Sequence, residues 1–172
     1  RILEAVKPPF TIIKQITNEI ESVDGVKLLD VDPGAATNRT VVTFVGTPEA
    51  VMEAAYKAIV KAGEIIDMSK HKGEHARMGA TDVCPLIPVA NISMEETSQW
   101  AVKLAKRVGE TTHIPTYLYG ASQPNTKRNV LSIIRTGEYE GFFEKIKRPE
   151  WKPDFGPATY SARSGATVIG AR

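Results

Sequence analysis

A lone cysteine, Cys84, has no partner for an intramolecular disulfide, so packing and hydrogen bonds must hold this chain together and a reducing compartment suits it. Long apolar runs are missing as well, since no stretch approaches the roughly 20 residues that span a bilayer. Nor is there an excess of one charge: 22 Lys+Arg stand against 20 Asp+Glu, a net of +2. The basic residues are scattered, which leaves no electrostatic footprint for a nucleic-acid backbone. No P-loop, dinucleotide fingerprint or nucleophile elbow occurs, and no internal repeat. The chain opens at Arg1 without an apolar signal region, and the expectation is a few missing first residues rather than a targeting segment. The expected location is cytoplasmic, with neither a membrane nor a nucleic acid as partner.

What is present is enough for one core. With 172 residues, 42% of them hydrophobic, residues 1–172 are expected to form a single domain. Ile2 to Val6 reads as a short strand, and Ile13, Ile16, Ile20 and Val23 then keep helical spacing until Gly25. Val26–Val31 and Thr40–Val45 read as strands around the polar stretch Asp32-Pro-Gly-Ala-Ala-Thr-Asn-Arg39, which is rich in turn formers. Thr47-Pro48 opens a helix with Val51, Ala55, Ala58 and Ala62 on one face, running to about Ile66. His71–Asp82 has no periodicity and reads as a loop feeding a strand over Val83–Val89. Ser93 and Glu96 form a capping-box pattern ahead of Ala101, Leu104, Ala105 and Val108. Thr116–Tyr119 is a last short strand. From Gly120 the chain reads as irregular, with helical pieces near Asn129–Ile134 and Tyr139–Ile146 and a Gly/Pro/Ala-rich tail. Two strand-helix-strand units imply an α+β fold: a ferredoxin-like α/β sandwich whose mixed β-sheet carries helices on one face.

Three groupings bear chemistry. His71-Lys-Gly-Glu-His75 matches an H-x-x-E-H zinc pattern, but those ligands need one helix face, Gly73 interrupts it, and no third ligand is evident. The expectation is no metal. His75 is better suited to acid-base work, because an imidazole both accepts and donates a proton near neutral pH. Asp32 and Arg39 bracket the polar stretch between two strands, where they can present a carboxylate and a guanidinium at one end of the sheet; arginine suits capture of a substrate carboxylate. Asp154-Phe-Gly156 copies a kinase magnesium motif without the companions that motif requires, and reads as coincidence.

Taken together, Leu28-Leu-Asp-Val-Asp-Pro-Gly34, Thr37-Asn-Arg-Thr40, Thr43-Phe-Val-Gly46, Ile66-Asp-Met-Ser69, Gly73-Glu-His-Ala-Arg-Met-Gly79, Asp82-Val-Cys-Pro85 and Gly165-Ala-Thr167 resemble the N-terminal subdomain of the glutamate formiminotransferase family. Tyr117-Leu-Tyr-Gly120, Gly137-Glu-Tyr139 and Pro153-Asp-Phe-Gly-Pro157 extend the resemblance to the end of the chain. The resemblance implies transfer of a formimino group from N-formimino-L-glutamate to N5 of tetrahydrofolate, the co-substrate, in histidine degradation and one-carbon metabolism. It places the general acid/base at His75, a catalytic acid at Asp32 and a substrate-binding arginine at Arg39. The family's folate-binding stretch falls on Gly156, Pro157, Ala158, Thr159, Tyr160, Ser161, Ala162, Arg163, Ser164 and Gly165. A second subdomain or a homo-oligomer is implied as partner. The alternative is a one-lobed, non-catalytic relative that binds a folate or a protein. The family's Asn-Phe-Ser-Glu-Gly segment has no counterpart after Val6, where the sequence runs straight into Lys7-Pro-Pro9.

Overall fold

A computed structural model describes residues 9–172; the expected strand at Ile2–Val6 and the junction that follows it lie outside the described residues. Helix α1 (Pro9–Glu21) buries Ile20 against helix α2 (Pro48–Ile65), and between them strands β1 (Val26–Gly34) and β2 (Arg39–Gly46) form an antiparallel ribbon. The ribbon reaches further than the turn formers suggested: Asp32, Pro33 and Gly34 continue β1 and Arg39 begins β2. Only Ala35–Asn38 is left to turn, with Asn38 at φ +48, a left-handed value that asparagine tolerates. Thr47 caps α2 as expected, its hydroxyl accepting from the Ala50 N–H, with Pro48 at the first helical position.

The second half is built on three parallel strands, β3 (Val83–Leu86), β4 (Thr116–Gly120) and β5 (Thr167–Ala171), in the order β3-β5-β4. Helix α3 (Met94–Thr112) joins β3 to β4 and begins with the expected capping box: Ser93 accepts from the Glu96 N–H while the Glu96 carboxylate accepts from the Ser93 N–H. Two short helices, α4 (Leu131–Ile134) and α5 (Glu138–Lys145), precede β5.

The pattern gave no hint that the Gly/Pro/Ala-rich tail holds the central strand. All five residues of β5 are buried, so its hydrophobic run shows no alternation, and at that length a buried strand leaves no periodic mark. Both faces of the parallel sheet are covered. Ile169 and Leu118 point into a cluster with Ala55, Ile59, Leu104 and Val108 from α2 and α3. Val168, Tyr117 and Tyr119 point the other way, against Met78, Ile134, Phe142 and Ile146. The fold is thus α+β, with the long helices on one face as expected and α4 and α5 closing the other. Among the described residues no helix is long and apolar enough to cross a membrane.

Candidate functional site

The tip of the β1–β2 ribbon docks on the irregular segment that carries His75. Gly73 makes the approach possible, because a Cβ there would sit 2.5 Å from the Thr37 carbonyl oxygen. Asn38 fastens the contact: its Nδ2 donates to the Lys72 carbonyl at 2.8 Å and to Nδ1 of His71 at 3.2 Å. The docking carries Arg39, at the first position of β2, to His75, with 2.6 Å between Arg39 Nη1 and His75 Nε2. A guanidinium only donates, so Nε2 must accept and the ring proton resides on Nδ1. Nδ1 in turn donates to the Ala76 carbonyl at 2.6 Å. His75 is therefore a half-buried neutral imidazole whose Nε2 lone pair faces a cation.

Asp32 pairs with Val41 and Gly34 with Arg39, and directly opposed residues share a face of the ribbon. Asp32 and Arg39 are thus diagonal neighbours on one face, both exposed. Among the described residues no hydrogen bond or ion pair joins Asp32 to Arg39 or to His75; the imidazole is oriented by a backbone carbonyl. His71 belongs to the packing of the ribbon tip. The segment from His71 to His75 is not helical, and among the described residues no group of three or more His, Cys, Asp and Glu is placed to hold a metal ion.

Three residues that sequence reasoning did not single out hold the segment in place. Arg77 spans it, its Nη2 donating to the His71 carbonyl at 3.2 Å and to Glu140 at 2.7 Å, and its Nη1 to Glu138 at 3.3 Å. Asp82 accepts from the Met78 N–H at 3.0 Å and from Nη2 of Arg135. Burial pushes the Asp82 carboxyl above its ordinary value, against the opposing pull of Arg135 and the Met78 N–H. Arg77 lies inside the Gly-Glu-His-Ala-Arg motif and Asp82 opens the Asp82-Val-Cys-Pro85 motif, but nothing in the sequence paired Asp82 with Arg135, 53 residues away. Beyond Ala76 an open cleft of about 690 Å³ runs between the end of β4 and the α4–α5 corner.

The stretch Gly156–Gly165 divides among three places. Gly156 packs against Gly109 and the Ile114 carbonyl at the C-terminal end of α3. Tyr160 packs at a tilt against Phe143, with ring centroids 3.6 Å apart, and donates to the Tyr139 carbonyl. Arg163, Ser164 and Gly165 run along the segment that leads to and from His75: the Arg163 carbonyl accepts from the Met68 N–H, the Ser164 carbonyl from the Ala80 N–H, and Gly165 bridges to Gly79. Pro157, Ala158, Thr159, Ser161 and Ala162 connect these three anchor points. Asp154 has a structural task, one carboxylate oxygen accepting from the Leu118 N–H, Gln123 and Arg128, which agrees with reading its kinase-like tripeptide as coincidence.

The family model of the formiminotransferase domain, N-terminal subdomain, matches residues 10–172. The chain belongs to that family. Among formiminotransferase relatives, the formimidoyltransferase-cyclodeaminase of Gallus gallus is 53% identical over 161 residues, covering 94% of this chain and 30% of that protein. The glutamate formimidoyltransferase of Thermoplasma acidophilum is 44% identical over 162 residues, covering 93% of this chain and 53% of its own. That of Streptococcus pyogenes serotype M1 is 39% identical over 161 residues, covering 94% and 54%. The chain thus spans about a third to a half of the curated formiminotransferases it matches.

Proposed function

We propose that this formiminotransferase subdomain carries the acid-base group for transfer of a formimino group from N-formimino-L-glutamate to N5 of tetrahydrofolate. The observation that carries the reading is the Arg39–His75 pair: a neutral imidazole whose Nε2 lone pair is engaged by a guanidinium that a substrate carboxylate can draw away. N5 attacks the formimino carbon, a tetrahedral intermediate forms, and Nε2 of His75 takes the proton that N5 sheds. The same proton then passes to the glutamate nitrogen, whose bond to the formimino carbon breaks. One group that takes and returns a proton serves both halves, and no metal takes part.

Arg39 grips the α-carboxylate of the donor and, once engaged there, leaves Nε2 free to work. Asp32, across the ribbon face, offsets the imidazolium charge as it develops. The Arg163–Gly165 end of the Gly156–Gly165 stretch, beside the His75 segment, forms one wall for the folate, and a second subdomain or a second copy of the chain supplies the opposite wall. The unpaired Cys84 fits a reducing, cytoplasmic setting. The test is a donor labelled with ¹³C in the formimino group, incubated with tetrahydrofolate and the protein. The label should move to N5 with stoichiometric release of glutamate; label appearing as formamide or formate would show hydrolysis instead and refute transfer.

A further inference from the structure

The cleft next to His75 contains a fixed cation that the steps above do not use. Ala76, whose carbonyl orients His75, forms one wall; Tyr119, Ser132, Arg135, Thr136 and Glu138 are among the others. The Glu138 carboxylate is engaged by Arg77, which mutes its repulsion toward an anion. Arg135 is restrained at both ends. Its Nη2 is held by Asp82, and the backbone around it is fixed by the buried Lys145, whose ammonium donates to the carbonyls of Ile133, Ile134 and Thr136 at 3.1, 2.6 and 3.0 Å. Among the described residues its Nη1 has no partner, and its Nε is buried without one. A guanidinium whose Nη1 is unused, immobilised at the wall of a cleft, is preorganised for a carboxylate.

We propose that Arg135 forms a second carboxylate subsite, which reads the γ-carboxylate of the formimino donor and makes the site selective for a dicarboxylic amino acid. The inference rests on the reading of His75 and Arg39 above. With the leaving nitrogen at His75 and the α-carboxylate on Arg39, the side chain of the donor extends past Ala76, and its terminal carboxylate lies two methylene groups along the cleft. Arg39 alone accepts any N-formimino amino acid. Arg135 supplies the discrimination, because a neutral group placed against a desolvated guanidinium forfeits a charge-assisted hydrogen bond.

The experiment compares N-formimino-L-glutamate with N-formimino-L-glutamine, which keeps the α-carboxylate and replaces the γ-carboxylate by an amide. The wild-type protein should prefer the glutamate compound in kcat/KM by at least about tenfold, the size typical of a lost charged hydrogen bond. Arg135→Gln should bring that ratio close to one, because KM rises more for the glutamate compound than for the glutamine compound; Arg135→Lys should fall between. A wild-type ratio near one, or an Arg135→Gln variant that loses the same factor on both donors, overturns the proposal. Glutarate, which has no formimino group, separates this failure from failure of the transfer reading. It should raise the melting temperature of the wild type and Arg135→Lys more than butyrate does, and Arg135→Gln should show no such difference. That difference sustains the subsite even where no transfer is seen, and its absence in the wild type rules the subsite out.

Discussion

At the scale of single residues, the site turns on which nitrogen of His75 carries the proton. Arg39 donates to Nε2 and the Ala76 carbonyl takes the Nδ1 proton, so the imidazole needs no carboxylate to fix its tautomer. Arg39→Ala is expected to weaken donor binding by about 1.5–3 kcal/mol, seen as a raised KM for N-formimino-L-glutamate; an unchanged KM would remove Arg39 from the binding role. Cys84 is partly buried against the first hydrophobic cluster, and desolvation there pushes its thiol up to about 12. Alkylation by iodoacetamide at pH 8 should therefore be slower in the native protein than after unfolding in urea, and equal rates would contradict it. Lys145 is buried and its pKa is brought down by desolvation from 10.5 to about 8. Since the folded value lies below the unfolded one, its stabilising contribution is present above the unfolded pKa and is lost as pH falls through about 8. The wild type should gain about 2–3 kcal/mol relative to Lys145→Met between pH 7.5 and pH 10.5, measured by urea unfolding, because each tenfold loss of proton affinity on folding is worth about 1.4 kcal/mol. A difference between the two that stays level with pH would contradict it. His75, Arg39 and Asp32 were legible because short polar motifs mark them. The Asp82–Arg135 pair was not, since only the fold brings those two residues together.

At the scale of elements, the long amphipathic helices and the ribbon were readable and the central strand was not. Helix α3 announces itself through Ser93 and Glu96, and Ser93→Ala should cost about 1 kcal/mol in chemical denaturation. Strand β5 carries no alternation because Val168 and Ile169 are both buried on opposite faces, and its Gly170 looks like a tail residue in sequence. In the fold Gly170 lies against β4, where an added Cβ would meet the Tyr119 carbonyl oxygen at 2.2 Å. Gly170→Ala is thus expected to destabilise the protein by about 1–3 kcal/mol, the usual cost of overpacking. A neutral result would mean that β5 and β4 are less tightly joined than their pairing indicates. The ribbon tip shows the same limit of local reading. Its turn formers were visible, yet nothing nearby in sequence marks Thr37 and Asn38 as the seat for Gly73, a contact that places Arg39 on His75.

At the scale of the whole molecule, β5 joins two hydrophobic clusters, one under α2 and α3 and one under α4 and α5, so neither face can come apart alone. Trp100 borders the first cluster and Trp151 the second. Trp100→Phe and Trp151→Phe, each leaving one fluorophore, should give coincident unfolding transitions once their stabilities are matched. That cooperativity is also what keeps the His75 segment rigid, since Met78, three residues on, is wholly buried in the second cluster. Turnover as proposed depends on His75 acting as the proton carrier while His71 only packs the ribbon tip. The most direct test is the rate of formimino transfer from N-formimino-L-glutamate to tetrahydrofolate by His75→Asn and His71→Asn, measured side by side. His75→Asn should lose at least about 10²-fold in kcat with stability changed by no more than about 0.5 kcal/mol, and His71→Asn should keep most of its turnover. Equal losses in the two variants, accompanied by release of bound zinc from the wild type on chelation, would contradict it and make the pair a metal site.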